Sequence, residues 1–345
     1  MGCVCFTYYC YLLLSSGRLL VAMAQGNTDI DFSGFNITIL LAGIFIGLAV
    51  ILALAYLANS LFGVRKKLKE KTKALDRAEQ LISHLELRDK DMTDSLIYAQ
   101  RIQEALFPSE DFFRNYFPDS FVYFKPKDIV SGDFYWVGEK GDKIFVAAAD
   151  CTGHGVPGAL MSVIGLDIIT KTILEANIED PSAVLEVMNK DLEKMFSREK
   201  NIGTIIRDGM DLGLCVIDRK RKKIEYAGAF FPMYLIRDNT LTEIKGDKFI
   251  IGMNPKGLKY TIHEIDIKED DIVYIFSDGY VDQFGGAENK KFMYRRFRYL
   301  LLQIHRFSFK DQKSILEENM RSWMMENSQV DDIMVIGFRP LTGGS

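Results

Sequence analysis

The stretch that decides the fold reads Ala148-Ala149-Asp150-Cys151-Thr152-Gly153-His154-Gly155. The mostly apolar residues 143–149 predict a strand that leads into this turn, and residues 156–175 predict a helix that follows it. Asp150 therefore stands where a strand ends and a glycine-rich turn begins. Because glycine lets backbone carbonyls and a bound ion approach closely, the turn is a candidate site for chemistry.

Three further aspartate motifs lie at the ends of predicted strands. Asp133 opens one strand in Ser-Gly-Asp, Asp278 follows another in Ser-Asp-Gly, and the pair Asp331 and Asp332 opens the last strand, at residues 333–338. A single carboxylate at such a place is most often a turn former or a helix cap. Several of them flanked by small residues favour an oxygen-ligated metal site, which suits Mg²⁺ or Mn²⁺.

The remainder of residues 108–340 is also rich in predicted strands. They fall at residues 121–125, 133–137, 212–217, 224–227, 233–236, 260–267 and 272–276. Helices are predicted to start at residues 180–181 and to cover residues 295–305 and 314–325. Tight turns at residues 218–223 and 237–240 imply antiparallel pairing. The sequence therefore predicts an α+β layered domain.

Together, these motifs resemble the ordered motif set of PP2C-type serine/threonine phosphatases, and more narrowly that of the bacterial SpoIIE/RsbU branch. The resemblance covers about residues 95–340. It implies a β-sandwich flanked by helices and a metal-dependent phosphatase that acts in bacterial signal transduction. Its substrate would be a phosphoserine or phosphothreonine on a cytoplasmic regulatory protein, typically an anti-sigma-factor antagonist of the STAS type.

The resemblance also assigns a role to each residue of the motifs. Asp150 would bridge two Mn²⁺ or Mg²⁺ ions, and the backbone carbonyl of Cys151 would ligate one of them. Asp278 and Asp331 would complete the first metal site, and Asp133 would serve the second directly or through water. Water activated by the two ions would attack phosphorus in line, without a phosphoenzyme.

Three accessory residues accompany this set. Asp332 occupies a position that is often Asn in the wider family, and we expect it to orient its neighbour. Asp211 departs from the aromatic-x-Thr pattern that the better-known members have, so it is either a further ligand or a local hydrogen-bonding group. His154 is either a proton donor to the leaving group or an imidazole that pins the loop.

Two rival chemistries use the same residues. Residues 153–158 fit the dinucleotide fingerprint, but that interpretation leaves the other aspartates without a role, and the later strands do not alternate with helices. A cysteine phosphatase needs Arg six residues after Cys. Cys151 has a proline there, whereas Cys215 is followed by Arg221 within a charged turn that cannot cradle phosphate. We therefore expect no nucleotide cofactor and two inert thiols.

Composition limits the remaining choices. The chain has 345 residues and a net charge of −4, which argues against binding nucleic acid through overall charge. Its five cysteines and four histidines are scattered, so neither a disulfide framework nor a local His or Cys metal site follows. The non-enzymatic alternative is a membrane-anchored phosphatase-like adaptor that only binds partners. The presence of the aspartates favours an enzyme.

The N-terminal part predicts a membrane anchor. Residues 37–58 are apolar and lie within an uncharged run, residues 32–64, which is long enough to cross a bilayer. The run is followed by six Lys and Arg residues between positions 65 and 73, which the positive-inside rule assigns to the cytoplasm. We expect a single-pass inner-membrane protein with a cytoplasmic phosphatase domain. Residues 1–24 are expected to be a signal peptide or a second apolar segment.

Residues 65–107 contain neither Gly nor Pro and predict a continuous helix. Apolar residues fall on two heptad tracks, Leu68, Leu75, Ile82 and Leu96 on one and Ala78, Leu85, Met92, Ala99 and Leu106 on the other. Asp89 and Gln103 interrupt the first track. The pattern favours a parallel coiled-coil homodimer over a solvated amphipathic spacer.

Overall fold

Two five-stranded antiparallel sheets form the centre of the domain in a computed structural model, which describes residues 37–197, 208–253 and 259–341. The first sheet has the order β1-β12-β9-β6-β7, and the second has the order β2-β3-β4-β5-β8. The strands of the first sheet are β1 (Ser120–Lys125), β6 (Met233–Arg237), β7 (Thr240–Ile244), β9 (Ile272–Phe276) and β12 (Ile333–Phe338). Those of the second are β2 (Phe134–Lys140), β3 (Lys143–Cys151), β4 (Met210–Asp218), β5 (Lys223–Ala229) and β8 (His263–Asp266).

The sheets pack face to face because the strands bury apolar side chains on the face between the sheets. Along β3, alternate residues belong to different clusters, as the two-residue period of a strand requires. Val146 and Ala148 pack between the sheets with Met233 and Ile336, whereas Phe145 faces the opposite side. The chain thus forms the β-sandwich that the resemblance implied.

Helices cover both outer faces of the sandwich. One pair packs on the second sheet and comprises α3 (Gly155–Thr170), continued by a π-helical turn at Lys171–Glu175, and α4 (Pro181–Ser197). Another pair packs on the first sheet and comprises α6 (Tyr294–Ile304) and α7 (Phe309–Met324). Short elements complete the domain, namely α2 (Glu110–Tyr116), α5 (Gly279–Asp282) and the small hairpin of β10 (Phe284–Gly285) and β11 (Lys290–Lys291). The predicted α+β class is confirmed.

A single helix, α1 (Ile37–Leu106, 70 residues), precedes the sandwich. Its apolar N-terminal part has a mean hydropathy of 2.7, and none of that part is buried. By length and composition it could cross a membrane, whereas the less apolar segment Gly155–Glu175, with a mean hydropathy of 1.4, is half buried in the domain. The chain divides into two compact units, Met1–Glu86 and Leu87–Ser345. The predicted segment at residues 1–24 lies outside the described residues.

Several predicted boundaries differ from the structure. The predicted turn at residues 237–240 is only Asp238 and Asn239, both with positive φ (50° and 60°), and the chain returns at once as the unpredicted edge strand β7. A two-residue turn of this kind matches the twist of a hairpin. The strand predicted at residues 260–267 shortens to His263–Asp266. Helix α7 begins earlier than predicted because the Ser308 side chain caps it.

Candidate metal centre

Strand alternation brings the predicted carboxylates to one end of the sandwich. Asp133 precedes β2, Asp332 precedes β12, and Asp150 lies near the end of β3. In each case the neighbouring strand residue (Phe134, Ile333 and Ala149, respectively) packs in a cluster on the outer face of its sheet. Because side chains alternate along a strand, the aspartate falls on the opposite side, which faces the other sheet. Asp211 joins them because the register of β3 and β4 pairs it directly with Asp150. Side chains at such paired positions lie about 5 Å apart at Cβ.

Asp332 is committed to backbone hydrogen bonds. Its Oδ1 accepts from the N–H of Lys127 and its Oδ2 from the N–H of Gly132, both at 2.7 Å. Its own N–H donates to Asp331 Oδ1 at 2.9 Å. Asp332 therefore fixes the loop that carries Asp133 and at the same time orients Asp331.

Gln103, near the end of α1, holds the same loop from the other side. Its Nε2 donates to Ser131 O at 2.7 Å and to Ser162 Oγ at 2.9 Å, and its Oε1 accepts from the N–H of Ser131 at 3.0 Å. The side chain is buried. Sequence reasoning noted Gln103 only as an interruption of a heptad track. That polar residue on an apolar track was the available signal for a buried contact with a partner segment.

Two glycines allow the chain segments of the centre to approach closely. A Cβ on Gly279, directly after Asp278, would lie 1.9 Å from the backbone oxygen of Asp332. A Cβ on Gly132 would lie 2.7 Å from the backbone oxygen of Gly153. Neither position accepts a side chain without backbone movement. The Ser-Gly-Asp and Ser-Asp-Gly motifs thus require glycine for packing around the aspartates.

Burial and mutual repulsion raise the pKa values of the clustered carboxyls. Burial is the largest cause for Asp150, followed by the charges of Asp278, Asp331 and Asp211. For the fully buried Asp133, burial is followed by the charge of Asp150. Repulsion of this kind between nearby carboxylates favours their protonation or the binding of a cation.

The pKa values of the Asp211 and Asp278 carboxyls are raised as well. Burial, then the charge of Asp278, raises the pKa of Asp211 to about 6. Burial, then the charge of Asp282, raises the pKa of Asp278 to about 6. The Asp278 residue nevertheless exposes more than a third of its surface, so solvent screens part of its charge. Its carboxylate is open to a ligand in the cleft.

The donor set fits a divalent cation. Asp133 Oδ2 is buried without a hydrogen-bond partner, and the surrounding groups offer oxygen atoms and excess negative charge, which Mg²⁺ and Mn²⁺ prefer. Among the described residues, no three acidic, His or Cys side chains already form one coordination shell. The predicted ligands nonetheless lie near one another at one end of the sandwich, where their charges raise one another's pKa values.

The other predicted residues lie at the rim or in the core. His154 Nδ1 lies 2.8 Å from Asp128 Oδ2, and both side chains are exposed. Cys151 is buried, and burial followed by the charge of Asp150 raises the pKa of its thiol. Burial also raises the pKa of the Cys215 thiol. Thiols held protonated in this way are poor nucleophiles.

Comparisons with known proteins identify the family of the chain. The family described as "Stage II sporulation protein E (SpoIIE)" matches residues 140–340. The phosphoserine phosphatase RsbU of Bacillus subtilis (strain 168) is 26% identical over 161 residues, which are 45% of this chain and 44% of RsbU. The match thus spans less than half the length of that relative.

Solved structures give the same result. The PP2C domain of SiaA from Pseudomonas aeruginosa is 32% identical and superposes with a TM-score of 0.66, covering 73% of this chain and 98% of that domain. The SpoIIE phosphatase domain of Bacillus subtilis, with a fragment of its regulatory domain, has a TM-score of 0.53 at 18% identity, covers 64% of this chain and 62% of that one, and shares the fold. The chain therefore belongs to the SpoIIE family of PP2C-type serine/threonine phosphatases.

Proposed function

We propose that this chain hydrolyses phosphoserine or phosphothreonine on a cytoplasmic regulatory protein with the help of Mn²⁺ or Mg²⁺. The observation that carries the proposal is the convergence of acidic side chains at one end of the sandwich, where Asp133 Oδ2 is buried without a partner. The similarity to RsbU, a phosphoserine phosphatase, supports the choice of substrate. By the same resemblance, an anti-sigma-factor antagonist is the substrate class that we propose.

The proposed ligands are Asp150, Asp278 and Asp331 with the backbone carbonyl of Cys151, and Asp133 for a second ion. When bound, two divalent ions supply the Lewis acidity that activates water and offsets the charge of the phosphoryl group. The chain contributes by holding the ligands on rigid strand ends. Asp133 and Asp150 each adjoin a fully buried strand residue, Phe134 and Ala149, respectively, so their backbone cannot shift freely.

Accessory residues set the position and charge of the ligands. Both carboxylate oxygens of Asp332 accept hydrogen bonds from the N–H groups of Lys127 and Gly132, which supports an orienting role rather than direct ligation. Asp211 is paired in register with Asp150, so its charge acts directly on that carboxylate. His154 is exposed at the rim and held by Asp128, a position from which it can give a proton to the leaving serine oxygen.

We also infer that residues 37–58 span the inner membrane and that the phosphatase unit is cytoplasmic. Leu41, Phe45 and Leu52 are each more than half exposed in this apolar segment, as expected for side chains that face lipid. The six basic residues between positions 65 and 73 support this orientation. A lipid environment would cover the apolar surface that water would otherwise contact.

Residues 65–107 are proposed to form a parallel coiled-coil homodimer. Leu75, Ile82 and Leu85 are exposed by 58%, 54% and 54%, respectively. These residues lie on the two heptad tracks, and a second helix would bury them as knobs in holes. A continuous stripe of exposed leucine and isoleucine is costly in water, which favours a dimer over a solvated spacer.

The test of this function is phosphate release by the full chain in mild detergent with Mn²⁺. Matched phosphoserine, phosphothreonine and phosphotyrosine peptides are compared, with Asp278→Asn as the inactive control. We expect hydrolysis of the first two peptides and a much lower rate on phosphotyrosine. A clear preference for phosphotyrosine contradicts the proposed substrate class. Absence of hydrolysis in every case, with a folded protein, favours the adaptor alternative.

A further inference from the structure

A groove lies between α6 and α7 on the outer side of the first sheet. It has a volume of about 540 Å³, and basic, aromatic and amide side chains line it. Those that carry the argument are Arg295, Arg296, Tyr299, Gln303, Asn319 and Trp323. None of the described residues that line the groove is acidic. We call it the α6–α7 groove.

Two of its positive charges have no acidic partner within the part of the chain that the structure describes. Arg295 is exposed and has no ion pair with any described residue. Arg296 donates to the backbone oxygens of Lys291 and Phe292, both at 3.2 Å, and lies 4.7 Å from the centre of the Trp323 ring. These contacts hold the guanidinium in place without neutralising it. In a chain of net charge −4, such a site attracts negative charge.

Arg298, the third arginine of α6, provides the contrast. Its guanidinium lies 3.3 Å from a Glu243 carboxylate oxygen and donates to the Tyr234 hydroxyl at 3.1 Å. It therefore serves the packing of α6 on the sheet. The two groove arginines have no comparable structural carboxylate, so their charges remain for a ligand.

The remaining walls suit a polypeptide. The Tyr299 side chain is 65% exposed, and Trp323 is half-buried beside Arg296. Aromatic rings next to arginines are the residues that contribute most to binding at protein interfaces. The amides of Gln303 and Asn319 can hydrogen-bond a peptide backbone, and planar guanidinium groups bind carboxylates in a bidentate manner.

The groove begins beside the metal centre. Met293, directly before α6, donates its N–H to the backbone oxygen of Val281 in α5 at 2.7 Å, so α6 begins beside the short helix that follows Asp278. Lys291 forms an ion pair of 2.7 Å with Asp282, four residues after Asp278. Along a helix that rises 1.5 Å per residue, the span from Tyr294 to Gln303 is about 14 Å. An extended peptide covers that distance in about four or five residues.

We propose that the α6–α7 groove binds an acidic segment of the same phosphoprotein whose phosphorylated residue lies at the carboxylate cluster. This inference rests on the proposed function and adds a substrate preference to it. The phosphorylated side chain would be placed at the aspartates, and acidic residues about four to six positions away would pair with Arg295 and Arg296. The groove would then select substrates by charge, at a distance from the reaction.

The test compares three phosphoserine peptides of equal length. One carries three Glu residues N-terminal to the phosphoserine, beginning four positions away, the second carries them on the C-terminal side, and the third carries Gln instead. With the full chain in detergent and Mn²⁺, we expect kcat/KM for one acidic peptide to exceed that of the Gln peptide about fivefold to tenfold, through KM. Arg295→Gln should lower this preference, and Arg295→Gln with Arg296→Gln should abolish it.

Two controls distinguish an effect on peptide binding in the groove from an effect on the catalytic step. Hydrolysis of p-nitrophenyl phosphate and of the Gln peptide should be unchanged in both variants. Arg221→Gln is the matched control because Arg221 is 76% exposed, in the turn that follows β4 at the end of the strand opposite Asp211. It should leave the preference intact. If the native chain hydrolyses no substrate, the proposed function is wrong. The peptide-binding measurement then tests the groove by itself.

Binding is measured with the unphosphorylated Glu peptides through the fluorescence of Trp323. The native chain should show a saturable change that Arg295→Gln weakens and that Trp323→Phe removes. Equal kcat/KM for all three phosphopeptides overturns the proposal, as does a preference that persists in the double variant. If the groove binds a second copy of the chain instead, the double variant should change its oligomeric state without changing the binding or hydrolysis of the peptides. That result also overturns the proposal.

Discussion

Replacing Gln103 by methionine removes three buried hydrogen bonds while nearly preserving side-chain volume. Gln103 bonds the backbone oxygen and N–H of Ser131 and the hydroxyl of Ser162, at 2.7, 3.0 and 2.9 Å. Each bond contributes about 0.5–1.5 kcal/mol net, and the buried Ser131 N–H loses its acceptor. We expect the free energy of unfolding of the phosphatase unit to fall by about 2–4 kcal/mol. Because Ser131 is two residues from Asp133, the apparent affinity for Mn²⁺ should fall as well.

The assay is urea unfolding of the full chain in mild detergent, followed by tryptophan fluorescence. Both tryptophans, Trp136 and Trp323, lie in the phosphatase unit, so the signal reports that unit. Gln100→Met is the control, since Gln100 is on the same helix but only half-buried. A loss below about 0.5 kcal/mol, which is the scale of ordinary surface substitutions, would refute the reasoning. So would an equal loss in the Gln100 variant.

Three further predictions follow from the site and the long helix. Asp150→Asn should lower phosphate release about 100-fold or more while leaving the circular dichroism spectrum unchanged, because it removes a proposed ligand and a repelling charge rather than a packing contact; an active variant would contradict this. In chelator, Asp278→Asn should gain stability relative to the native chain as the pH rises from about 4 to about 6. The folded-state pKa of Asp278 is raised to about 6, so over this range the carboxyl ionises more readily in the unfolded chain and the native fold loses stability. Urea unfolding across this range checks the prediction, and a constant difference between the two proteins argues against it. Leu75→Asp with Leu85→Asp should give monomers in sedimentation, and a native chain that is already monomeric would disprove the coiled coil.

The sandwich could be predicted because its strands carry local information. Residues 333–338 and 272–276 were predicted with the bounds that the structure has, since both are short apolar runs that adjoin an aspartate motif, the first after it and the second before it. β7 was missed because its burial alternates between exposed and half-buried along an edge. Such a strand has little hydrophobic signal, so the tight turn at residues 237–240 was predicted but the strand after it was not.

The candidate metal centre was harder to predict in detail because it depends on register and on distant contacts. The aspartate motifs could be found from sequence, but the pairing of Asp211 with Asp150 requires knowing that β3 and β4 are neighbours with a particular alignment. The bond between His154 and Asp128 joins residues that no local pattern connects. Likewise, Gln103 on a heptad track can indicate a buried contact, but it does not identify Ser131 as the partner.

The most direct test of the central claim is a Mn²⁺ titration of chelator-treated full chain, with phosphate release from one phosphoserine peptide as the readout. We predict no release in EDTA, a saturable rise with Mn²⁺, and a flat response for Asp278→Asn. Asp142→Asn serves as control because Asp142 is an exposed carboxylate paired with Lys220 at 2.6 Å, in the turn between β2 and β3, and it should behave as the native chain does. Full release in EDTA, or a native response in Asp278→Asn, would contradict the claim that this carboxylate cluster holds the catalytic ions.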